Sequence, residues 1–201
     1  MEIFAIVILA FAVLILAIIW AIFSLIITEI NKAKLNKYID NIPDFIFSHK
    51  FIGEDAKSAI AIDETRKALI LLSKTSNNIL KESFEFEKII SAEIFEDGDS
   101  ISTIEADRGS QLSGIAIGGI IGGSVGAAIG GLSGKRTSKQ TIKIKNLDLR
   151  ITVNDFKNPL RVIKFLNIET EKNSDVYKKA AQELNKWMSI FKIICKEIEV
   201  S

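Results

Sequence analysis

The stretch IFAIVILAFAVLILAIIWAIFSLIIT, residues 3–28, holds 26 consecutive residues without a charge and decides the architecture of this 201-residue chain. As an α-helix rising about 1.5 Å per residue, this stretch is longer than the hydrocarbon core of a bilayer is thick, which is about 30 Å. A cleavable signal peptide has a basic start, a shorter apolar stretch and small residues at the cut. Here the acidic Glu2 precedes the stretch, and Trp20 and Phe23 approach its end. We therefore predict a permanent transmembrane anchor over residues 1–28, with a buried core helix as the alternative.

The flanks of this anchor predict its orientation. Lys32, Lys34 and Lys37 follow it, whereas no basic side chain precedes it. Because Lys and Arg beside a membrane span tend to stay in the cytoplasm, we expect a single-pass anchor in the cell membrane with the rest of the chain cytoplasmic. Residues 29–45 form a juxtamembrane linker, in which residues 29–40 are either a short polar continuation of the helix or a passive connection.

A second charge-free tract of 26 residues, GSQLSGIAIGGIIGGSVGAAIGGLSG, spans residues 109–134. Its glycines recur every four residues, with a second row beside the first, so on a helix they form one smooth stripe that allows another helix to approach closely. The tract resembles the glycine-zipper segments of membrane-inserting proteins. The glycines predicted to pack against helices in the membrane are Gly114, Gly118, Gly119, Gly122, Gly123, Gly126, Gly130, Gly131 and Gly134.

Three interpretations of the glycine tract remain open: a disordered linker, a single membrane crossing, and a re-entrant helical hairpin with a bend near Ser124. The hairpin is favoured, because a single crossing would carry the basic residues that follow to the outside, against the charge bias. On the hairpin interpretation, Lys135, Arg136 and Lys139 emerge at the membrane surface and contact anionic lipid.

The remaining sequence alternates between strand-like segments and turns, and then changes to a helical period. In the segment LDLRITV, apolar and polar residues alternate, as in a half-exposed antiparallel strand. The predicted strands are residues 58–63, 68–73, 79–86, 89–95, 100–104, 140–145, 147–153 and 160–166. Ser174 then predicts a helix N-cap. The apolar face predicted for this last amphipathic helix consists of Val176, Ala180, Leu184, Trp187, Met188, Phe191, Ile194, Cys195 and Ile198.

The charged residues leave little basis for catalysis or for nucleic-acid binding. The chain has 26 basic and 25 acidic residues, a net charge of +1, and a single His and a single Cys. This composition argues against nucleic acid, against a thiolate or imidazole metal site, and against any cofactor. Gly122 to Gly126 match the G-x-S-x-G pattern of hydrolases, but that motif needs a catalytic His, and the lone His49 lies in a segment typical of a strand or turn. We predict that the protein is not an enzyme.

The charges are also divided unevenly along the chain. Residues 29–108 carry 11 basic and 16 acidic side chains, whereas residues 135–201 carry 15 basic and 8 acidic ones. Pairing across strands of one domain is the favoured explanation, and attraction of the basic part to anionic lipid is the alternative.

Seven or eight short strands followed by one helix is the order of a pleckstrin-homology-like (PH-like) domain. The segments EKIISAEIFEDGDSIS, KIKNLDLRITV and NPLRVIKFLN, followed by the helix with Trp187, resemble bacterial membrane-anchored PH-like proteins of the prophage and bacteriocin-immunity type, such as sublancin immunity proteins. The resemblance covers residues 46–198. It implies an α+β fold: a PH-like antiparallel barrel of about seven strands in two parts, residues 46–108 and 135–201, interrupted by the glycine hairpin.

The resemblance also implies a function, which is immunity or exclusion directed against a bacteriocin or a phage at the cytoplasmic membrane. Two alternatives stay open. One is a membrane-perturbing effector whose glycine helices oligomerise and depolarise the cell, and the other is a scaffold that recruits a cytoplasmic partner. The partners expected in every case are the lipid bilayer and, through the glycine tract, a second copy of the chain or another membrane protein.

Overall fold

The structure is a computed structural model that describes residues 2–76, 78–105 and 142–200. Two long helices frame eight strands and one short 3-10 helix within these ranges. In chain order the elements are α1 (Glu2–Asp40), β1 (His49–Ile52), β2 (Ser58–Asp63), β3 (Ala68–Lys74), β4 (Ile79–Glu85), the 3-10 helix (Phe86–Lys88), β5 (Ile89–Glu96), β6 (Asp99–Glu105), β7 (Lys143–Val153), β8 (Leu160–Glu171) and α2 (Asp175–Val200).

Helix α1 runs without interruption from the apolar stretch into the polar segment, as the helical alternative for residues 29–40 predicted. Its 39 residues contain neither Gly nor Pro, so no position favours a break. Pro43 follows three residues after the helix ends, and the residue before a proline is unfavourable for helix. The last turn tightens, because Asn41 and Ile42 donate their N–H groups to the carbonyls of Tyr38 and Ile39.

The strands form two antiparallel sheets of four strands each. Sheet 1 has the order β1-β2-β3-β4, and sheet 2 has the order β6-β5-β7-β8. This confirms the predicted α+β class, with eight strands in two sheets among the described residues where the sequence predicted about seven in one barrel. The predicted strand 58–63 matches β2. β1 was not in the list of predicted strands, although the segment around His49 was typical of a strand or turn, because four residues carry too few alternations to define a strand.

A tight turn connects β5 and β6. Asp97 and Gly98 form a two-residue loop, and both have a positive φ, of 49° and 102°, as a type I′ hairpin turn requires. The Asp97 carboxylate accepts hydrogen bonds from the backbone N–H groups of Lys145, at 3.0 Å, and Asn146, at 2.7 Å. These bonds satisfy the backbone at an irregularity in the β7–β8 pairing. Residues 143–145 of the strand predicted at 140–145 and the strand predicted at 147–153 form a single strand, β7, and residues 140 and 141 lie outside the described ranges.

One apolar core lies between the sheets and under α2. Its largest buried side chains include Trp187 and Phe191 of α2 and Phe165 of β8. Phe165 stacks on Phe51 of β1 with ring centroids 4.0 Å apart and planes within 3°, so the two sheets meet through this ring pair.

The N-cap and most of the predicted apolar face of α2 are confirmed. The Ser174 hydroxyl accepts a hydrogen bond from the N–H of Tyr177 at 3.1 Å. Val176 is the exception, because its side chain is exposed, and Tyr177 is buried in its place. The prediction was wrong by one position here, since the aromatic ring buries more apolar area than valine does.

The segment between β6 and β7 joins opposite ends of sheet 2. Both strands pair with β5 in antiparallel orientation, so they run in the same direction. Glu105, at the end of β6, and Thr152, near the end of β7, both pair with Ser91. Lys143, at the start of β7, is nine residues before Thr152, or about 30 Å along the strand. Residues 106–141 therefore connect two points at opposite ends of the same sheet.

Candidate membrane-proximal site

The residues predicted to pack in the membrane or to contact lipid all lie outside the described ranges. They are the nine glycines of the 109–134 tract and the basic side chains of Lys135, Arg136 and Lys139. Their predicted roles stay predictions. The site that can be described is the junction between α1 and sheet 1, where the apolar helix meets the rest of the chain.

The apolar part of α1 has no packing partner among the described residues. A window of 18 residues within Ile6–Asp40 reaches a mean hydropathy of 3.3, and none of it is buried. Exposed apolar surface of this extent is unfavourable in water. The helix is long and apolar enough to cross a bilayer, which makes it a candidate membrane anchor.

The C-terminal turns of α1 pack on sheet 1. Leu35 and Ile39, four residues apart, lie on one face of the helix and are fully buried, and Ile42 extends the same apolar cluster beyond the helix end. Their partners are small or aliphatic residues that point away from the main core: Ala59, Ala61, Ile70 and Leu72. β2 is therefore buried on both faces, one against the main core and one against the helix.

Two ion pairs flank this contact. Lys32 of α1 lies 2.6 Å from Glu54, and Asp40 at the helix end lies 2.5 Å from Lys50 of β1. Both pairs are partly exposed, and exposed ion pairs contribute about 0–1 kcal/mol. They orient the helix on the sheet, while the apolar contact supplies most of the stabilisation.

A buried carboxylate accepts a hydrogen bond from the segment between α1 and β1 and so holds that segment against the end of β2. Asp63, at the end of β2, is fully buried and accepts hydrogen bonds from the N–H groups of Ile46 and Arg66, each at 3.0 Å. Burial by itself raises the pKa of Asp63, but these N–H bonds and the Arg66 guanidinium at 3.2 Å outweigh it and lower the pKa below its usual value. Asp63 was not among the residues predicted from the sequence, although an Asp at the start of a turn is a common acceptor for backbone N–H groups.

Two other polar clusters join the acidic and the basic halves of the chain. Arg161 of β8 lies 2.5 Å from Glu82 of β4, and Lys172 lies 2.5 Å from Glu96, which also accepts a hydrogen bond from the Tyr177 hydroxyl. These contacts are pairs between strands and elements of one domain, as the favoured explanation of the uneven charge distribution predicted.

His and Cys are residue types often used in catalysis and metal binding, and the single His and the single Cys of this chain both lie within regular secondary structure. His49 is the first residue of β1, and its Nε2 lies 3.2 Å from Glu64. Cys195 is buried in the core-facing side of α2. Across residues 2–76, 78–105 and 142–200, no group of three His, Cys, Asp or Glu side chains is arranged to hold a metal ion.

A comparison with known families finds one match on this chain. Residues 49–167 match the family described as "Glycine zipper containing PH domain". The matched range begins at β1 and ends within β8, so it includes most of both sheets and the glycine tract. No curated protein and no solved structure matches the chain.

Proposed function

The chain belongs to the family of glycine zipper-containing PH domains, and we propose that it is a non-catalytic membrane protein held at the bilayer in two places. The first attachment is α1, and the second is the glycine tract, inserted as a re-entrant hairpin. The domain formed by the two sheets and α2 then lies against one surface of the membrane.

The observation that carries this proposal is the pairing of β6 and β7 with the same strand, β5. Strands that share a hydrogen-bonded neighbour are in the same compartment. The chain therefore enters and leaves residues 106–141 on one side of any membrane, which a single crossing does not allow. An inserted glycine tract must turn back, as the hairpin hypothesis requires.

Helix packing is the chemistry that the glycine tract offers inside lipid. Lipid tails provide no hydrophobic drive between helices, so close contact through small residues supplies the association energy. The stripe of glycines suits a neighbouring helix, and we propose that this neighbour is α1, a second copy of the chain or another membrane protein.

For the orientation we propose a cytoplasmic domain. Lys32, Lys34 and Lys37 follow the apolar stretch directly, and clustered lysines beside a membrane span favour the cytoplasmic side. The docking of α1 on sheet 1 supports the same placement for the whole domain, since the helix and the domain are packed together.

The biological role that we propose is protection of the cell membrane, as immunity to a bacteriocin or as exclusion of a phage. Its support is the resemblance of three strand segments and the last helix to membrane-anchored proteins of that kind. A tract that packs against helices in the bilayer suits this role, because it can bind a transmembrane helix of an invading membrane protein.

The membrane topology is tested by labelling single cysteines in the full chain. Cys195 is the only cysteine and is replaced by serine, and Ser110, Ser124 and Ser138 are each replaced by cysteine in turn. With an impermeant maleimide, the hairpin proposal expects Ser110→Cys and Ser138→Cys to react from the same side and Ser124→Cys to be protected. Reaction of the two flanking positions from opposite sides would exclude the hairpin.

The protective role is tested by replacing Gly122 and Gly126 with leucine, which removes the smooth stripe but keeps the segment apolar. We expect cells expressing this variant to lose protection against a panel of membrane-active bacteriocins and phages at unchanged protein level. The matched control replaces Ile120 and Ile129 with leucine and should keep protection. Protection retained in the glycine variant would remove the tract from the mechanism.

The same cells distinguish protection from membrane damage. A dye sensitive to the membrane potential should report a normal potential when the parent protein is overexpressed. A loss of potential that depends on Gly122 and Gly126 would instead support the effector alternative, in which the glycine helices oligomerise.

A further inference from the structure

The face of sheet 2 that points away from the core carries charged side chains in its central strand. Leu147, Leu149 and Ile151 of β7 are buried in the core, and the residues between them point to the other side. Asp148 and Arg150 therefore share this outer face, about 7 Å apart along the strand. Both side chains are partly buried, so part of each is at the surface. We call this surface the outer face of sheet 2.

Charges of opposite sign are neighbours across the strands of this face. Arg150 is the register partner of Glu93 on β5, and Asp148 is the register partner of Lys164 on β8. Within residues 2–76, 78–105 and 142–200, however, neither Asp148 nor Arg150 forms a salt bridge. The two charges of β7 are therefore close to groups of opposite sign without being paired to them.

An aromatic ring, rather than a carboxylate, holds the Arg150 guanidinium. Its central carbon lies 3.5 Å from the centre of the Phe95 ring, which is a cation–π contact. This contact restrains the guanidinium before any partner arrives, so the side chain has little freedom left to lose on binding. Arginine and aromatic residues are also the types enriched where protein interfaces gain most of their energy. Arg150 and Phe95 thus have the composition of an interface anchor.

Two polar atoms at the centre of the outer face have no hydrogen-bond partner. Asp148 Oδ1 and Arg150 Nε are out of contact with solvent, and neither is bonded to an atom in the part of the chain that the structure describes. A buried polar atom without a partner is costly, and native structures hold few of them. Burial also raises the pKa of Asp148, although Lys164 and Arg150 act in the opposite direction. The separate chain therefore keeps an unpaired acid and an unpaired base on one surface.

The spacing of these two residues makes the outer face complementary to itself. A two-fold axis that crosses β7 at Leu149, in the plane between two facing sheets, puts Arg150 of each copy opposite Asp148 of the other. Two ion pairs form together, since a two-fold interface repeats every contact. A partner with a single sign of charge would be repelled by one of the two residues, whereas a second copy presents both signs in the required order.

We propose that a second copy of the chain packs on the outer face of sheet 2, with Arg150 of each copy bound to Asp148 of the other. The two β7 strands run antiparallel across this interface, and the sheets pack face to face. The contact involves only the domain formed by the sheets and α2. It is therefore separate from the association proposed for the glycine tract, and it does not depend on membrane insertion.

Charge reversal tests this pairing, because a two-fold contact gives it a distinctive outcome. Asp148→Arg makes the face positive at both positions, and Arg150→Asp makes it negative at both. Each variant should fail to associate with itself, whereas a mixture of the two should form a dimer in which both ion pairs are restored. Full chains that carry two different tags are mixed in detergent micelles, and the second tag is measured after capture through the first.

A neutral double variant gives the size of the effect without reversing a charge. Asp148→Asn with Arg150→Gln should associate about a hundredfold more weakly than the parent, at about tenfold for each of the two ion pairs. The matched control is Glu183→Gln with Lys186→Gln, which removes an exposed acid and base from α2 and should leave association unchanged. Thermal unfolding of each variant verifies that the domain is folded, and the neutral double variant decides the question where a reversed variant is not.

The outcomes separate this interface from other modes of self-association. A parent chain that stays monomeric, or a mixture of the two reversed variants that stays monomeric although both are folded, would overturn the proposal. Equal association of the parent and the neutral double variant would also overturn it and would assign self-association to another surface. Gly122→Leu with Gly126→Leu should leave the pattern of association unchanged. A loss of association in that variant alone would assign the contact to the glycine tract and reject the outer face.

Discussion

Shortening Ile39 to alanine removes the centre of the contact between α1 and sheet 1. Ile39 is 0% exposed and packs in a cluster with small residues such as Ala59 and Ala61, which cannot extend to fill the space left behind. An Ile→Ala change in a packed core costs about 2–5 kcal/mol. At about 2–4 °C per kcal/mol for a chain of this size, we expect a loss of about 3 kcal/mol to lower the unfolding midpoint by about 6–12 °C.

The measurement follows Trp187 emission during thermal unfolding of the full chain in detergent micelles. Trp187 lies in the core of the domain, so its emission reports whether loss of the helix contact destabilises the domain as a whole. Ile30→Ala is the matched control, because Ile30 is on the same helix but 47% exposed. If α1 were only a tether, Ile39→Ala and Ile30→Ala would unfold at the same temperature as the parent, and our account of the junction would be wrong.

Further predictions concern three polar residues, each measured by thermal unfolding. Because the pKa of Asp63 is lowered, its ionised form stabilises the fold above the ordinary carboxyl pKa, and this contribution is lost as the pH falls through the lowered value. Asp63→Asn should therefore be less stable than the parent at pH 7. The difference in unfolding midpoint between the two should shrink in acid. Asp148 behaves in the opposite way, because burial raises its pKa despite the nearby Lys164 and Arg150, and its Oδ1 has no hydrogen-bond partner. Asp148→Asn should raise the midpoint at pH 7, and a gain that persists unchanged in acid would contradict this cause. Ser174→Ala should cost about 1 kcal/mol through loss of the α2 N-cap, and Ser174→Asp should recover most of it.

Local sequence patterns predicted the bounds of a strand correctly where turn residues mark both of its ends. β2 has the predicted bounds because Gly53 and Asp55 precede it and the polar segment ETRK follows it. β7 was divided in two because Asn146 interrupts the apolar alternation. In the structure the strand is continuous, and its backbone at Asn146 donates a hydrogen bond to the Asp97 carboxylate of a turn 49 residues earlier, a contact that no local pattern contains.

The membrane-proximal site was less accessible from sequence for a similar reason. Leu35 and Ile39 lie in a mostly polar segment, and their burial depends on alanines in β2 that leave space for a helix. The burial of β2 on both faces was the one signal with a sequence counterpart, since residues 58–62 are all small or apolar and only the last residue of the strand, Asp63, is charged.

The strand order of sheet 2 has a consequence for how the protein is made. During synthesis the β5–β6 hairpin forms first, and one edge of β5 stays unpaired until the ribosome has added the 36 residues 106–141 and then β7. Contacts this distant in the chain form slowly, and an open strand edge invites wrong partners. The nascent chain must therefore add residues 106–141 before β7 can pair with β5 and complete sheet 2.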